Sequence, residues 1–188
     1  GLEPPVHFVE TSPLLRKEQG ERVANARWHT AIDTLPDDVP LMIVANEFFD
    51  ALPIRQFHAA GTNWTERHIA LDDTGAFQFL DVVLGPQGGP EDPCLSDARQ
   101  GAIVETNPAS LTIIAEIGDR LATHGGLALV SDYGYAHGHG DTFQAMRSHA
   151  YVSPLDSPGE ADITAHVDFA ALARASAARV FGLADQGT

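Results

Sequence analysis

Two apolar runs, each followed directly by polar residues, constrain the fold of this chain more than any other feature. Residues 41–45 are apolar throughout and lead into Asn46 and Glu47, and residues 127–130 lead into Ser131 and Asp132. An apolar run of this length bounded by turn residues is typical of a parallel strand covered on both faces. We therefore expect two buried strands whose polar ends mark one edge of a sheet.

Helical and strand-like segments alternate over most of the chain. Further strands are expected at residues 6–9, 28–30, 102–105 and 179–183, and helices at residues 13 to about 24, 108 to about 122, and within 162–178. Ser12 and Asn107 precede helix-starting prolines, and Gly125 follows the second helix, in agreement with these bounds. Residues 134–140 are expected to be a flexible loop. The alternation predicts an α/β fold with a doubly wound, mostly parallel sheet.

The region at about residues 54–84 has a different pattern. Polar and apolar residues alternate with period two over 55–58, 63–71 and 76–83, and Gly61 and residues 73–75 separate these runs. This pattern predicts an antiparallel β-meander inserted into the α/β domain. The whole chain, residues 1–188, is then one partial domain with this insertion.

Charge and composition exclude several classes of protein. The chain has 11 basic and 26 acidic residues, giving a net charge of −15. Such a surface disfavours binding to nucleic acid or anionic lipid and suits a cationic partner, although acidity also favours solubility alone. No apolar run approaches the roughly 20 residues needed for membrane insertion. Cys94 is the single cysteine, so an intrachain disulfide and a thiolate metal site are excluded.

Three expected strands end on groups that can bind a ligand. Glu10 follows the first strand, Asn46-Glu47 follows residues 41–45, and Asp132 follows residues 127–131. Ligands of open parallel sheets bind at the carboxyl ends of the strands, and a carboxylate there can accept both hydroxyls of a ribose. Each residue alone could equally be a turn or cap residue. Together they favour a nucleotide-like cofactor.

The segment from Asn46 to Asp50 combines an amide, two carboxylates and two phenylalanines. The amide and Glu47 could orient a substrate nitrogen or pair with a cation, whereas Asp50 could instead cap a short helix before Pro53. Phe48 or Phe49 is expected in the core in either case. The histidines, including the pair at residues 137 and 139, lack a metal-ligand spacing, so we predict no metal site. A P-loop and a G-x-S-x-G motif are also absent.

Several of these stretches together resemble the MidA-type methyltransferases, a family that includes the mitochondrial complex I assembly factor that methylates arginine. The matching stretches are residues 8–15 with Gln19, 46–53, 64–67, 132–135, and 158–169 with His149. They occur in the family's order and cover nearly the whole chain. The family's Gly-rich turn would precede Gly1, and Gln186-Gly187 resembles the Gln-Gly before its last segment. The chain is therefore expected to be cut at both ends and to bind cofactor poorly by itself.

The resemblance implies a class I, Rossmann-like fold and S-adenosylmethionine as the cofactor. Glu10 would hold the ribose, and the region containing Trp28, His29 and Asp33 would lie near the adenine. The substrate-orienting and catalytic residues would be the following: Asn46, Glu47 and Asp50.

The function implied is a protein-arginine N-methyltransferase acting in the assembly of a respiratory-type complex. It would be located in the bacterial cytoplasm or the mitochondrial matrix. A small-molecule or other protein acceptor remains an alternative, as does a non-catalytic assembly module that docks through the meander.

Overall fold

A computed structural model describes residues 4–61, 63–85, 88–90, 100–136 and 140–176. Its helices are α1 (Pro13–Arg22), α2 (Pro108–His124) and α3 (Phe169–Ala175), with a 3-10 helix at Ile32–Thr34. The strands are, in chain order, β1 (His7–Val9), β2 (Arg27–His29), β3 (Leu41–Asn46), β4 (Arg55–Ala60), β5 (Asn63–Leu71), β6 (Phe77–Val83), β7 (Ile103–Thr106), β8 (Gly126–Ser131), β9 (Gly134–Tyr135), β10 (Gln144–Arg147), β11 (Ala150–Val152), β12 (Asp162–Thr164) and β13 (Val167–Asp168).

The two apolar runs form a parallel pair, as the sequence predicts. Strands β3 and β8 pair in register from Leu41 opposite Gly126 to Asn46 opposite Ser131. The short strands β1 and β2 make a second parallel pair. Among the described strands these pairs are separate sheets. Because the paired strands run in the same direction, the polar residues after β3 and β8 lie at a common edge.

The expectation that both faces of β3 and β8 are covered is wrong for the described residues. Met42 and Val44 are 82% and 69% exposed, and Leu127 and Leu129 on β8 are also exposed. The opposite face packs on one apolar cluster that includes residues of both α2 and α3. An apolar run indicates that both faces of a strand can be buried. Whether each face is buried depends on which other elements of the chain pack against it.

The three strands of the meander form where the sequence predicts them, but the fourth strand of their sheet was not expected there. The order is β6-β5-β4-β7, and every pairing is antiparallel. The prediction that residues 102–105 resume the parallel pattern is therefore wrong, because β7 pairs antiparallel with β4. Local periodicity indicates that a strand forms, but it does not specify the strand's partner or direction.

The segment after β8 contains short strands that the sequence analysis missed. Gly134 and Tyr135, predicted as loop, form β9 and pair parallel with β13. A Cβ at residue 134 would lie 2.1 Å from the Val167 carbonyl oxygen, so the close approach requires glycine. Strands of two to four residues are too short to show periodicity. The predicted helix within 162–178 is found as α3, whereas the predicted strand at 179–183 lies outside the described residues.

No helix in the described part of the chain is long and apolar enough to cross a membrane.

Candidate functional site

Glu10 lies at the carboxyl end of β1, and its carboxylate is held by the N-cap residue of α1 and by a residue within that helix. Its Oε1 accepts from the Ser12 backbone N–H at 2.8 Å, and Oε2 accepts from Gln19 Nε2 at 3.3 Å. The Arg16 guanidinium donates to the carbonyl oxygens of Glu10 and His29 at 2.5 and 2.9 Å. The ends of β1 and β2 are thereby joined, and Glu10 is fixed at their shared edge.

The other predicted cofactor residues lie on or just after β2. Trp28 stacks on Phe8 with ring centroids 5.8 Å apart and donates its indole N–H to Gln19 Oε1 at 2.8 Å. The His29 ring hydrogen bonds to the His7 ring at 2.8 Å and to Thr34 Oγ1 at 2.9 Å. Burial, with the charges of His29 and Arg27, lowers the pKa of His7.

Asp33 lies in the 3-10 helix with an exposed side chain. Its carbonyl oxygen accepts from the Arg120 guanidinium at 3.0 Å. Gln19 thus hydrogen bonds to both Glu10 and Trp28, and Arg16 hydrogen bonds to the carbonyl oxygens of Glu10 and His29. Asp33 is linked to these residues by its neighbour in the helix, Thr34, whose Oγ1 hydrogen bonds to the His29 ring.

Asn46 and Glu47 lie at the carboxyl end of β3, both exposed. Glu47 has a φ of 46°, in the left-handed region that residues other than glycine rarely adopt. Its backbone N–H donates to the Ser131 carbonyl oxygen at 2.9 Å, which ties it to the end of β8. The strained backbone turns the chain sharply at this edge, as is frequent at functional sites.

Asp132 organises the turn that follows Glu47. Its Oδ2 accepts from the backbone N–H groups of Phe48, Phe49 and Asp50 at 3.1, 2.9 and 3.3 Å. Three donors on one carboxylate oxygen hold the segment after β3 against the segment after β8. Its place after an apolar run marks Asp132 as a strand-end acid, but no local sequence pattern predicts this contact.

Asp50 is only 7% exposed, and its surroundings are acidic. Burial, followed by the charges of Asp132 and Glu47, raises the pKa of the Asp50 carboxyl. Phe49 is 1% exposed and lies in the apolar cluster, which confirms the expectation that one of the two phenylalanines is a core residue. Asn46, Glu47 and Asp50 therefore occur on one turn next to Asp132.

A pocket of about 100 Å³ lies beyond this turn, and the sequence analysis did not predict it. Its apolar wall includes Phe49, Phe57 and Leu172. Polar groups that line it include the following: Arg55, Glu105, Asn107, Ser110, Tyr135, His166 and Asp168. Tyr135, His166 and Asp168 belong to stretches quoted above for their family resemblance, which was the available signal. No role could be assigned from sequence, because these residues are brought together by the pairing of β9 with β13.

The architecture is an α/β fold with parallel strand pairs and acidic groups at their carboxyl ends, as in class I methyltransferases. Comparison with known proteins identifies the group within this class. Residues 4–184 match the model of the family described as "putative S-adenosyl-L-methionine-dependent methyltransferase". The chain belongs to this family.

Related proteins and solved structures agree with that assignment. The mitochondrial protein arginine methyltransferase NDUFAF7 homolog of Caenorhabditis elegans is 36% identical over 162 residues, which are 84% of this chain and 38% of that protein. The human protein arginine methyltransferase NDUFAF7 is 32% identical over 172 residues, 92% of this chain and 38% of the human protein.

A structural relative was solved with a ligand. A "likely methyl transferase" from Burkholderia thailandensis bound to S-adenosyl-homocysteine superposes with a TM-score of 0.71 at 27% identity, covering 92% of this chain and 47% of that chain. The chain thus spans less than half the length of these relatives.

Proposed function

We propose that this protein takes part in transfer of a methyl group from S-adenosylmethionine to an arginine side chain of a partner protein. The observation that carries the proposal is the pair of acidic strand ends: Glu10 after β1, and the turn from Asn46 to Asp50 after β3. The names of the mitochondrial relatives support arginine as the acceptor. We further propose that the partner belongs to a respiratory-type complex in assembly, in the mitochondrial matrix or the bacterial cytoplasm.

The residues at the β1–β2 edge fit the proposed cofactor. Among the described residues, each carboxylate oxygen of Glu10 accepts one hydrogen bond, from Ser12 and Gln19 respectively, and therefore keeps capacity to accept a ribose hydroxyl. Trp28 and His29 provide aromatic rings at the end of β2, suited to packing beside an adenine. Asp33, exposed in the 3-10 helix, can accept from the adenine amino group.

The acceptor side requires positioning more than strong acid–base chemistry. S-adenosylmethionine supplies a methyl group bonded to a sulfonium sulfur, so one S–C bond breaks as one N–C bond forms. Glu47 can pair with the guanidinium, and the Asn46 side-chain carbonyl can accept from an N–H to orient the attacking nitrogen in line. The methylated nitrogen then loses one proton. Asp50 is a suitable acceptor for it, because its raised pKa increases the basicity of its carboxylate.

Because the chain by itself is expected to bind the cofactor poorly and spans less than half the length of its relatives, the test uses the protein at the length of its relatives, together with a fraction containing its co-purified partners. We expect S-adenosylmethionine to bind in calorimetry and radiolabel from its methyl group to appear on arginine after acid hydrolysis of a partner. Label on another residue or on a small molecule would contradict the arginine proposal but leave the methyltransferase proposal intact. No measurable cofactor binding would contradict both and favour a docking role through the meander, in which every residue of strand β6 is exposed.

A further inference from the structure

The pocket beyond the Asn46–Asp50 turn has no role in the chemistry above, yet two chain segments lead from the proposed site into it. Phe49 lines the pocket three residues after Asn46, and Tyr135 lines it three residues after Asp132. Three extended residues span at most about 10 Å, so the pocket opens close to the carboxyl ends of β3 and β8. A ligand in it would therefore lie next to the proposed acceptor site.

The apolar wall of the pocket suits an aliphatic stem. Phe49 and Phe57 are each 1% exposed, and Leu172 is buried beside them. These side chains lie on three different segments, the turn after β3, strand β4 and helix α3. Packing of several methylene groups against such a wall gains about 0.8 kcal/mol per buried group.

The polar groups of the pocket include two carboxylates and two hydroxyls that can accept hydrogen bonds. Asp168 accepts from the Ala171 backbone N–H through Oδ1 at 2.8 Å, and no hydrogen bond is found at its Oδ2 among the described residues. Tyr135 lines the pocket together with Asp168 and Glu105, and burial, with the charges of these two carboxylates, raises the pKa of its phenol to about 12. Ser110 is 3% exposed, and its Oγ has no hydrogen-bond partner in the described part of the chain.

The charge of the pocket is negative after internal pairs are counted. Arg55 lines the pocket, but Glu66 matches its charge, with Nε–Oε1 and Nη2–Oε2 distances of 2.6 and 3.1 Å. Glu105 accepts from Gln56, Thr142 and Phe143 and has no cationic partner among these donors. Asp168 and Glu105 thus give the pocket two carboxylates that no described cation directly pairs with.

We propose that this pocket binds an arginine side chain of the partner protein, with Asp168 as the main anchor for the guanidinium and Ser110 and Tyr135 as further acceptors. The proposal rests on the proposed function, which provides a protein partner recognised through arginine. A planar guanidinium with five N–H donors satisfies several acceptors at once, which an ammonium or an uncharged side chain does less well. The chain's net charge of −15 also favours approach of a basic partner.

The test is an NMR titration of the protein with the blocked tripeptide Gly-Arg-Gly and with the same peptide carrying citrulline, the uncharged analogue of arginine. We expect shifts centred on the pocket and at least about ten-fold weaker binding of the citrulline peptide, as for loss of one charge-assisted hydrogen bond. Equal binding of the two peptides, or shifts that leave pocket residues unaffected, would overturn the proposal.

A matched pair of variants tests the anchor. Asp168→Asn removes the charge but retains a residue that caps helices as well as aspartate, so α3 is expected to stay folded. It should weaken binding of the arginine peptide about ten-fold or more, whereas Asp156→Asn, in an exposed turn, should not. Ser110→Ala and Tyr135→Phe should each cause a smaller loss. If Asp168→Asn binds arginine as tightly as the unmodified protein, the assignment is wrong.

The two proposals can fail separately. Arginine binding in the pocket without methyl transfer would contradict the proposed function alone. Arginine methylation whose KM is unaffected by Asp168→Asn would contradict the pocket assignment alone.

Discussion

The two acidic edges of the molecule are built in different ways. At the β1–β2 edge, the side-chain carboxylate of Glu10 is held by Ser12 and Gln19, two and nine residues away in sequence. At the β3–β8 edge, Asp132 accepts from the backbone N–H groups of Phe48, Phe49 and Asp50. These residues precede it by 82 to 84 positions in the sequence. The pocket beyond Asp132 is formed from residues as distant as Phe49 and Leu172. The first edge depends on local structure, and the second depends on tertiary packing.

Because the two edges are built differently, mutations at Glu10 and at Asp132 are expected to have different effects. Replacing Glu10 removes acceptors for a ligand, while the contacts that join β1 to β2 come from backbone groups and Arg16. Replacing Asp132 removes the common acceptor for three backbone N–H groups in a turn that also contains the proposed acceptor-binding residues. The β1–β2 edge should therefore show effects on binding, and the β3–β8 edge effects on stability as well.

The largest effect is expected for Asp132→Ala. Three backbone donors lose their shared charged acceptor, and the free energy of unfolding should fall by about 3 kcal/mol. Urea unfolding followed by circular dichroism measures it. Asp119→Ala, at an exposed position of α2, is the control and should change little. A loss in Asp132→Ala no larger than in Asp119→Ala or in a substitution of Glu10 would remove the distinction between the two edges.

The second effect concerns the chemistry at the β3–β8 edge. Glu47→Gln should reduce methyl transfer at least about 100-fold, because the neutral amide cannot pair with a guanidinium, while cofactor affinity stays nearly unchanged. Transfer is measured by radiolabel and affinity by calorimetry, with Asp38→Asn in an exposed loop as control. Parallel loss of both quantities would assign Glu47 to the cofactor site or to the fold.

A smaller effect is expected at the β1–β2 edge. Glu10→Gln retains one carbonyl acceptor but loses the charge, so S-adenosylmethionine should bind about ten-fold more weakly with unfolding free energy nearly unchanged. Glu18→Gln, on the exposed side of α1, should bind normally. Unchanged affinity in Glu10→Gln would refute the ribose assignment.

The smallest effect is a pH dependence from Asp50. The pKa of this carboxyl is higher in the folded protein than its ordinary value, so the folded state retains the proton more strongly. Its contribution to stability is present below the ordinary pKa and is lost as the pH rises through the raised value. Asp50→Asn should therefore lose less stability than the unmodified protein across that interval, as measured by urea unfolding at a series of pH values. An identical pH dependence in both proteins would contradict the raised pKa.

Much of the fold was predictable because its signals are local. Pro108 after Asn107 marks the start of α2, and the Asn107 side chain does accept from the Ser110 N–H at 2.9 Å. The apolar runs identified β3 and β8, and period-two alternation identified the meander. The pairing of β7 with β4 and the short strands after β8 were not predictable, because strand direction and two-residue pairings leave no periodic pattern.

The candidate site divides in the same way. The sequence by itself determined that Glu10, Asn46 and Glu47 lie at the carboxyl ends of strands, because a polar residue after an apolar run is visible locally. Only the tertiary structure decided that Asp132 binds the turn after β3, and that Ser110, Tyr135 and Asp168 share a pocket. These residues come from separate elements, so their proximity depends on packing and on loop closure over long stretches of chain, which local sequence patterns do not encode.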